Sequence, residues 1–383
     1  TALFQNSVTS ASPTTKMMES LIGLSLNDLD LQKQKISREL QENPLDKMKL
    51  SLMSHLDFAR GSKFIERGSP LEARQAFLEQ IRVNRTLQQA FGKDLDGLPA
   101  VSRRCKEYIY SIEEEHQSYF RLPQAIEDAE AHFALVYHGV YRHTMLHWAR
   151  LLSIWQKIRS IGIEKQSLRR NCTNARQEFY LVECGVAGGG SSVLIAVASA
   201  LYLSNSWGCE SRAPSVIAVD NFVGMPREHA TIDARVGDGA TPSECGWGEG
   251  TCGSAGSTVN IDRLSHRFGV RHLVRCIKGN FQAVLPRIFA TSANRAPTAI
   301  SSPEDPRVLF AHIDADWYES TRSCIAHIYP NLVPSGVASM QLDDYQYWQG
   351  CQRAVKEHFT KTTKQWPKLE SVAFDNNAVC LTK

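Results

Sequence analysis

From about residue 25 to residue 121, hydrophobic positions recur every three or four residues, which is the spacing of one face of an α-helix. The segment Ser69–Glu72 reads SPLE and predicts a helix start, because Ser caps the first free N–H groups, Pro fits the first turn and Glu completes a capping box. We expect this helix to continue to Phe91 and to stop at Gly92. An apolar stripe earlier in the region consists of Leu45, Met48, Leu52, Leu56 and Ala59.

The pattern changes after about residue 170, where short apolar runs alternate with helical segments. This alternation predicts right-handed β-α-β units and a mostly parallel sheet with helices on both faces. Ligands of such sheets bind beyond the carboxyl ends of the strands, so we expect the functional site at that edge. The predicted strands are residues 180–186, 216–222, 273–281, 308–316, 336–342 and 373–381.

These two patterns divide the chain into three parts. Residues 1–15 have little apolar periodicity and many small polar residues, so we expect them to be disordered. Residues 16–135 form a predicted helical region without a visible catalytic cluster, which would serve in packing, dimerisation or substrate gating. Residues 136–383 form the predicted α/β domain, in which we expect the chemistry.

Charge and hydropathy exclude several classes of partner. The 383 residues carry a formal net charge of +3, which gives no electrostatic footprint for nucleic acid. No apolar run reaches the roughly 18 residues needed to span a bilayer, and the first residues do not resemble a signal peptide. Ten cysteines without a Cys-x-x-Cys pair are typical of reduced thiols, so we expect a cytoplasmic protein. Cys245 and Cys252 share one loop and could pair, but free thiols fit that compartment better.

A glycine-rich stretch at residues 183–192, ECGVAGGGSS, follows the first predicted strand and precedes a predicted helix. Glycine permits positive φ and close approach of a ligand to the backbone. A dinucleotide site would require G-x-G-x-x-G, which this stretch fits poorly. S-adenosylmethionine carries an ammonium and a sulfonium group, so an acid such as Glu183 suits it. Asp220, at the end of the second strand, could bind the ribose hydroxyls of either cofactor.

Pairs of carboxylates follow two later strands. Asp314 and Asp316 end the fourth predicted strand, and Asp343 and Asp344 end the fifth. If these strands are neighbours, the four side chains meet at one edge, where they cannot all stay ionised without a cation. Oxygen ligands favour a hard divalent ion such as Mg²⁺. A single Asp of this kind is often a helix cap or a turn residue, but two pairs at matching strand ends favour metal binding.

A series of motifs has the order and spacing of one enzyme family. The motifs are ECGV at 183–186, DNFVGMP at 220–226, KGNF at 278–281, DADWYEST at 314–321, DDY at 343–345 and CQRAV at 351–355. Through them, residues from about 140 to 383 resemble the macrocin O-methyltransferase (TylF-type) family of class I S-adenosylmethionine-dependent enzymes. These enzymes act on sugar hydroxyls of antibiotics and related natural products. The resemblance implies a Rossmann-like class I methyltransferase sheet, here with an N-terminal all-helical extension.

The resemblance also implies roles for individual residues. Asp314, Asp343 and Asp344 would bind the metal ion, and Asp316 would be the general base. The predicted function is metal-dependent transfer of a methyl group from S-adenosylmethionine to a sugar hydroxyl of a small-molecule natural product. We expect a glycosylated acceptor and a homo-oligomer, a dimer. The cofactor would be lined by Thr144, Met145, Glu183, Gly185, Ser191, Ser192, Asp220, Asn221, Asn280 and Asp314.

Three alternatives stay open at the level of sequence. A catechol acceptor also presents two adjacent oxygens that chelate a metal ion. An NAD-dependent oxidoreductase would use Asp220 for the ribose but would give the four carboxylates no role. A non-catalytic methyltransferase fold would act as a scaffold for the N-terminal helices, and the intact acidic cluster argues against this reading.

Overall fold

The structure is a computed structural model of the chain. Residues 1–15, predicted to be disordered, and Gly92, the predicted helix stop, lie outside the residues that it describes. The chain forms two compact units. The described residues are 20–21, 23–43, 45–91, 98–168, 179–204, 213–245, 247–253, 257–289, 307–334, 336, 338–363 and 366–383.

The first unit, called the helical unit below, comprises Thr1–His116 together with Val223–Met225 and Glu249–Gly256. Its first helix is capped by Ser25, whose Oγ accepts the Asp28 N–H at 3.2 Å. The helix predicted from the SPLE segment is confirmed from Pro70 to Phe91. The helices are α1 (Leu26–Glu42), α2 (Lys47–Glu66), α3 (Pro70–Phe91) and α4 (Leu98–Glu115).

Charged side chains are buried inside the helical unit alongside the apolar ones. Lys33 on α1 lies 2.8 Å from Asp57 on α2 and also contacts Glu79 on α3, and all three are at most 1% exposed. Arg60 lies 2.6 Å from Asp30. Charged residues of α2 can therefore lie in the interior, because each buried charge has an opposite charge beside it.

The apolar stripe predicted for this region is therefore wrong in part. Leu56 and Ala59 are fully buried, but Leu45 and Met48 are 55% and 77% exposed. The buried face of α2 includes charged residues, which interrupt a purely hydrophobic spacing. A stripe defined by apolar residues alone therefore lies on a different side of the helix from the face that is buried.

The second unit, called the sheet unit below, comprises Gln117–Phe222, Pro226–Gly248 and Ser257–Lys383. Short helices precede a long one, and strands then alternate with helices. Its helices are α5 (Gln117–Phe120), α6 (Gln124–Ala129), α7 (Ala131–Val140), α8 (Trp148–Leu168), α9 (Gly190–Tyr202), α10 (Ser257–Arg267), α11 (Phe281–Ile288), α12 (Tyr318–Ile328) and α13 (Gln349–His358). Its strands are β1 (Phe179–Cys184), β2 (Ser215–Asp220), β3 (Val274–Lys278), β4 (Arg307–Ile313), β5 (Ser339–Leu342), β6 (Leu369–Ser371) and β7 (Val379–Thr382).

The seven strands form one sheet in the order β3-β2-β1-β4-β5-β7-β6. Strands β1 to β5 are parallel, as predicted, and β4 pairs directly with β5. The last predicted strand, residues 373–381, is wrong as a single element. The chain instead forms an antiparallel hairpin of β6 and β7, and β7 inserts beside β5. Asp375 accepts the N–H groups of Asn377 and Ala378 at 2.8 Å and so stabilises the turn between the two strands.

Apolar side chains cover both faces of this sheet. One cluster packs α7, α8 and α9 against one face, and the other packs α11, α12 and α13 against the opposite face. This is the arrangement of layers that parallel strands require, because both of their faces must be shielded from water. In the part of the chain that the structure describes, no helix is long and apolar enough to cross a membrane.

Candidate active site

Gly185 brings the first strand end against the fourth. It has a φ of +88°, and a Cβ on it would lie 1.8 Å from the carbonyl oxygen of Asp314, so only glycine fits. Its N–H donates to the Val219 carbonyl at 3.1 Å, and the Asp314 N–H donates to the Cys184 carbonyl at 2.9 Å. Backbone hydrogen bonds thus extend past the ends of β1, β2 and β4 and hold the predicted cofactor and metal residues close together.

Thr144 and Met145 follow a segment that packs on the first turn of α9. A Cβ on Gly190 would lie 2.7 Å from the Val140 carbonyl oxygen, which shows how closely the two segments approach. Thr144 is buried, and the carbonyl of Met145 accepts a hydrogen bond from the Tyr119 hydroxyl at 3.1 Å. The predicted Thr-Met pair therefore lies near the glycine turn.

Asp220 holds the glycine turn through its side chain. Its Oδ2 accepts the N–H groups of Val186 at 2.7 Å and Ala187 at 3.0 Å, and its Oδ1 accepts that of Phe222 at 2.7 Å. Burial raises the pKa of Asp220, and these three donors oppose the rise. Through these hydrogen bonds the Asp220 carboxylate connects the ends of β1 and β2.

Two asparagines that were predicted to line the cofactor lie along the same edge of the sheet. Asn221 is half-buried directly after β2, and Asn280 is exposed directly after β3. The ends of these strands are joined, because the Gly279 N–H donates to the Asp220 carbonyl at 2.9 Å. The edge therefore presents Asp220, Asn221 and Asn280 beside one another on adjoining strand ends.

Glu183 is fully buried beneath the turn. One carboxylate oxygen accepts a short hydrogen bond from the Ser192 hydroxyl, and the other lies 2.9 Å from Nδ1 of His312. Ser191, the neighbour of Ser192 on α9, is 4% exposed. Both oxygens of Glu183 are thus occupied by side chains of the protein.

His312 connects Glu183 to the second acidic strand end. Its Nε2 lies 3.1 Å from Oδ2 of Asp343, whose Oδ1 accepts the Gln341 amide at 2.8 Å. Burial by itself would lower the pKa of His312, but Asp343 and Glu183 raise it well above its ordinary value. The pKa of Asp343 is lowered although burial opposes ionisation, since His312 and Arg150 outweigh that effect. The ring therefore lies between two carboxylates, and their negative charges favour its protonated form.

The four predicted carboxylates meet at the carboxyl edge of β4 and β5 and are called the carboxylate cluster below. Asp314, Asp316 and Asp344 each place one oxygen within 4.8 Å of the others. Asp314 also belongs to a second set within that distance, with Asp343 and His312. Burial and the neighbouring carboxylates raise the pKa values of Asp314 and Asp316 well above their ordinary range, and burial raises that of Asp344.

Asp316 is held in an uncommon backbone conformation. Its φ is +55°, in the left-handed region that few residues other than glycine adopt, although Asp tolerates it better than most. Its Oδ1 accepts a hydrogen bond from Nε1 of Trp348 at 3.0 Å. The turn after β4 thus directs this carboxylate into the cluster, and Trp348 fixes one of its oxygens.

Arg150, on the first turn of α8, is an arginine that contacts the cluster. Its Nη1 lies 3.6 Å from Oδ2 of Asp343 and 3.6 Å from Oδ1 of Asp344, and its Nε lies 2.9 Å from Asp375 in the β6–β7 turn. These carboxylates raise its pKa although burial opposes the charge. Arg150 and His312 neutralise only part of the acidic charge.

The donor set of the cluster fits a hard divalent cation. Carboxylate oxygens that lie within 4.8 Å of one another are the ligands that Mg²⁺ prefers. Burial and the neighbouring carboxylates oppose ionisation of Asp314 and Asp316. A bound cation would favour ionisation, which is the usual linkage between metal binding and the charge of carboxylate ligands.

The glycine-containing loop after β2 is anchored next to the cluster. The Pro226 carbonyl accepts the Trp317 indole N–H at 2.9 Å, and Asp233 accepts the Tyr318 backbone N–H at 2.7 Å. The Val236 N–H donates to the Tyr347 carbonyl at 2.9 Å. These contacts place part of the loop around the residues that follow Asp316. Cys245 and Cys252 in this loop do not form a disulfide with each other.

Sequence reasoning did not assign His312 and Arg150. His312 was a possible signal because it is a polar residue in an otherwise mostly apolar strand, and a buried polar group without a partner is costly. For Arg150 no local signal exists, since its partners lie about 190 and 225 residues further along the chain.

Two solved methyltransferase structures are similar to this chain. The chain is 22% identical to the O-methyltransferase NovP, over 63% of this chain and 82% of NovP, with a TM-score of 0.43. It is 16% identical to the calicheamicin methyltransferase CalS11, over 77% of this chain and 95% of CalS11, with a TM-score of 0.44. We base no conclusion on likenesses of this size. The comparison with curated protein sequences gave no match.

A family model gives the decisive match. The family model described as "macrocin-O-methyltransferase (TylF)" matches residues 164–380, which is more than half of the chain. The matched span includes the glycine turn, Asp220 and the whole carboxylate cluster. The chain therefore belongs to the macrocin O-methyltransferase family, and it is an O-methyltransferase with S-adenosylmethionine as the expected methyl donor.

Proposed function

We propose that the protein transfers the methyl group of S-adenosylmethionine to a sugar hydroxyl of a natural product, with a divalent cation such as Mg²⁺ at Asp314, Asp343 and Asp344. The observation that carries the proposal is the convergence of the carboxylate cluster beside the glycine turn. Membership of the macrocin O-methyltransferase family supports the acceptor class. A catechol acceptor stays the second candidate, because it also offers two adjacent oxygens to a cation.

The glycine turn and the adjoining strand ends would bind S-adenosylmethionine. Gly185 allows the close approach of the first and fourth strand ends, and we propose that Asp220, at the second strand end, binds the ribose hydroxyls. Glu183 is fully buried, so we propose that it acts through its negative charge and through Ser192 rather than by direct contact. The remaining proposed cofactor residues are Thr144, Met145, Ser191, Asn221, Asn280 and Asp314.

An alcohol is a weak nucleophile at neutral pH, so the site must favour loss of its proton. A divalent cation, when bound, supplies the Lewis acid that lowers the pKa of an oxygen. Asp316 would accept the proton as general base, and the indole N–H of Trp348 would hold its carboxylate in place. Gln341 and His312 fix Asp343, so the ligand oxygens keep their positions as the acceptor enters. The chain's main contribution is the orientation of the two reactants.

The experiment that tests the function is calorimetric titration with S-adenosylhomocysteine and, separately, with NAD, each with and without Mg²⁺. We expect binding of S-adenosylhomocysteine and no binding of NAD. Turnover with glycosylated and catechol acceptors is then measured in EDTA and after restoring Mg²⁺. Activity that persists in EDTA would reject the role of the cation. Binding of NAD alone would reject the methyltransferase assignment and leave the cluster a structural role.

For the helical region we propose a part in packing, dimerisation or gating of the acceptor. The helical unit includes both stems of the loop after β2, at Val223–Met225 and Glu249–Gly256. Within that unit the Gln34 amide donates to the Glu249 carbonyl at 2.7 Å. The variant Gln34→Ala should therefore change KM for the acceptor more than the affinity for S-adenosylhomocysteine. Sedimentation would test the proposed dimer.

A further inference from the structure

A line of four buried polar side chains joins the glycine turn to the carboxylate cluster, and we call it the polar line. Ser192 donates to Glu183, whose other oxygen lies 2.9 Å from Nδ1 of His312. Nε2 of the same ring lies 3.1 Å from Asp343. Each of the four residues is 0% exposed, so bulk water does not reach these contacts.

The polar line follows the register of the sheet. Glu183 on β1 is directly opposite His312 on β4, and His312 is directly opposite Gln341 on β5. Gln341 is also fully buried and donates to Asp343 at 2.8 Å. The two central members of the line, Glu183 and His312, are therefore held opposite each other by backbone pairing, and Gln341 on the next strand holds Asp343.

The imidazole ring makes the two ends dependent on each other. It is planar and rigid, so a rotation that improves one nitrogen's contact moves the other nitrogen away from its carboxylate. Breaking a buried polar contact is costly, because the group left behind has no bulk water to compensate it. Glu183 and Asp343 must therefore adopt compatible positions.

We propose that His312 is a positioning residue that couples the S-adenosylmethionine site to the cation site, so that each ligand binds more tightly when the other is present. The inference rests on the proposed function, because it takes the glycine turn as the cofactor site and Asp343 as a cation ligand. A ligand that orders one end of the polar line reduces the cost of ordering the other, and such coupling is reciprocal. Asp314, which borders both sites, is the competing route.

The wild-type protein gives the first test. S-adenosylhomocysteine is titrated by calorimetry with and without Mg²⁺, and Mg²⁺ is titrated with and without S-adenosylhomocysteine. We expect each to tighten the other by the same factor, at least about fivefold, which is the lower end of typical coupling between sites. If both bind and the factor is one, the inference is wrong and the proposed function stands. If Mg²⁺ does not bind at all, the cation part of the proposed function fails and the inference fails with it.

The variant His312→Asn then separates the two routes. Asn cannot reach both carboxylates, so the coupling factor should fall to nearly one while each ligand alone still binds. The matched control is His327→Asn, a half-buried histidine on α12 that does not touch the polar line, and it should keep the wild-type factor. A folded His312→Asn protein that keeps the full factor would assign the coupling to Asp314 and overturn the inference.

A second variant covers the case in which His312→Asn does not fold. Ser192→Ala cuts the polar line at its cofactor end and leaves the ion contacts of His312 in place. It should reduce the coupling factor and not only the affinity for S-adenosylhomocysteine. An unchanged factor in Ser192→Ala would contradict the inference.

Discussion

The helical unit and the sheet unit both bury charged side chains, but in different balance. In the helical unit, Lys33 lies between Asp57 and Glu79, with Arg60 beside them, so cations and anions alternate. Lys33 and Arg60 lower the pKa of Glu79 although burial opposes its ionisation, while burial raises the pKa of Asp57 to about 6. These groups need no ligand to balance them.

The carboxylate cluster of the sheet unit lacks this balance. Burial and mutual repulsion raise the pKa values of Asp314 and Asp316 well above their ordinary range, even with Arg150 and His312 nearby. The contrast teaches that burial of charge alone does not mark a site. An excess of one sign at the carboxyl ends of neighbouring strands is the more informative feature. Substitutions at Lys33, Asp343 and Asp344 test this difference, and one at Gly185 tests the close approach of the strand ends beside the cluster.

Lys33→Met should have the largest effect, a loss of about 3–5 kcal/mol in the free energy of unfolding of the helical unit, because it leaves Asp57 and Glu79 buried beside each other with less compensation. Urea unfolding followed by circular dichroism measures it. The control is Lys63→Met, which removes an exposed pair with Glu66 and should cost less than about 1 kcal/mol. Equal effects of the two variants would contradict the structural role of the buried pairs.

Asp343→Ala should reduce turnover on the order of 10²–10³-fold, the usual effect of removing one group that stabilises charge in an active site. The affinity for S-adenosylhomocysteine without Mg²⁺ should change little, because the glycine turn keeps Asp220 and Gly185. Steady-state kinetics and calorimetry measure the two quantities. A loss of cofactor affinity as large as the loss of turnover would mean that Asp343 serves the fold instead of the chemistry.

Gly185→Ala should destabilise the sheet unit by more than the roughly 1–2 kcal/mol that a left-handed conformation costs a residue with a Cβ. The additional loss comes from the clash with the Asp314 carbonyl. Gly269→Ala is the matched control, since Gly269 also has a positive φ of +70° but has nothing within 4 Å of the added Cβ. Thermal unfolding of both variants isolates the clash, and equal losses would show that the close approach is not required.

Asp344→Asn should have the smallest effect and the opposite sign, a gain of about 1 kcal/mol in stability without metal. Asp344 adds repulsion to Asp314 and Asp316, and its own pKa is raised by burial. Active-site residues of this kind are commonly retained at a cost in stability. Asp343→Asn, at a residue whose pKa is lowered, should instead lose stability. Thermal unfolding in EDTA compares them, and a loss in both would contradict the proposed excess of acid.

The sequence was sufficient for the features that depend on local pattern. Apolar runs separated by helices predicted the five parallel strands, and glycine at a strand end predicted the turn at Gly185. Asp314 and Asp343 were brought together because neighbouring parallel strands end at one edge. These steps need only residues that are close in the chain and one topological rule.

The rest depends on contacts between distant segments. The pairing of Arg150 with Asp375 joins the start of α8 to the β6–β7 turn, and no pattern within either segment indicates it. The hairpin was predicted as one strand because its turn contains apolar residues such as Phe374, which is 73% exposed. The roles of individual site residues, the domain functions and the dimer stay predictions.

The late position of β7 in the chain has a consequence for biosynthesis. Strand β5, whose end presents Asp343 and Asp344, pairs on one side with β4 and on the other with β7. β7 is translated after every other strand. Arg150 likewise cannot contact Asp375 until residue 375 has been made. Until residues 379–382 have been made and have left the ribosome, one edge of β5 has no partner strand, and an unpaired strand edge is a template for unwanted pairing. Chaperone protection should matter most during that interval, and a stalled chain that ends before residue 379 should aggregate.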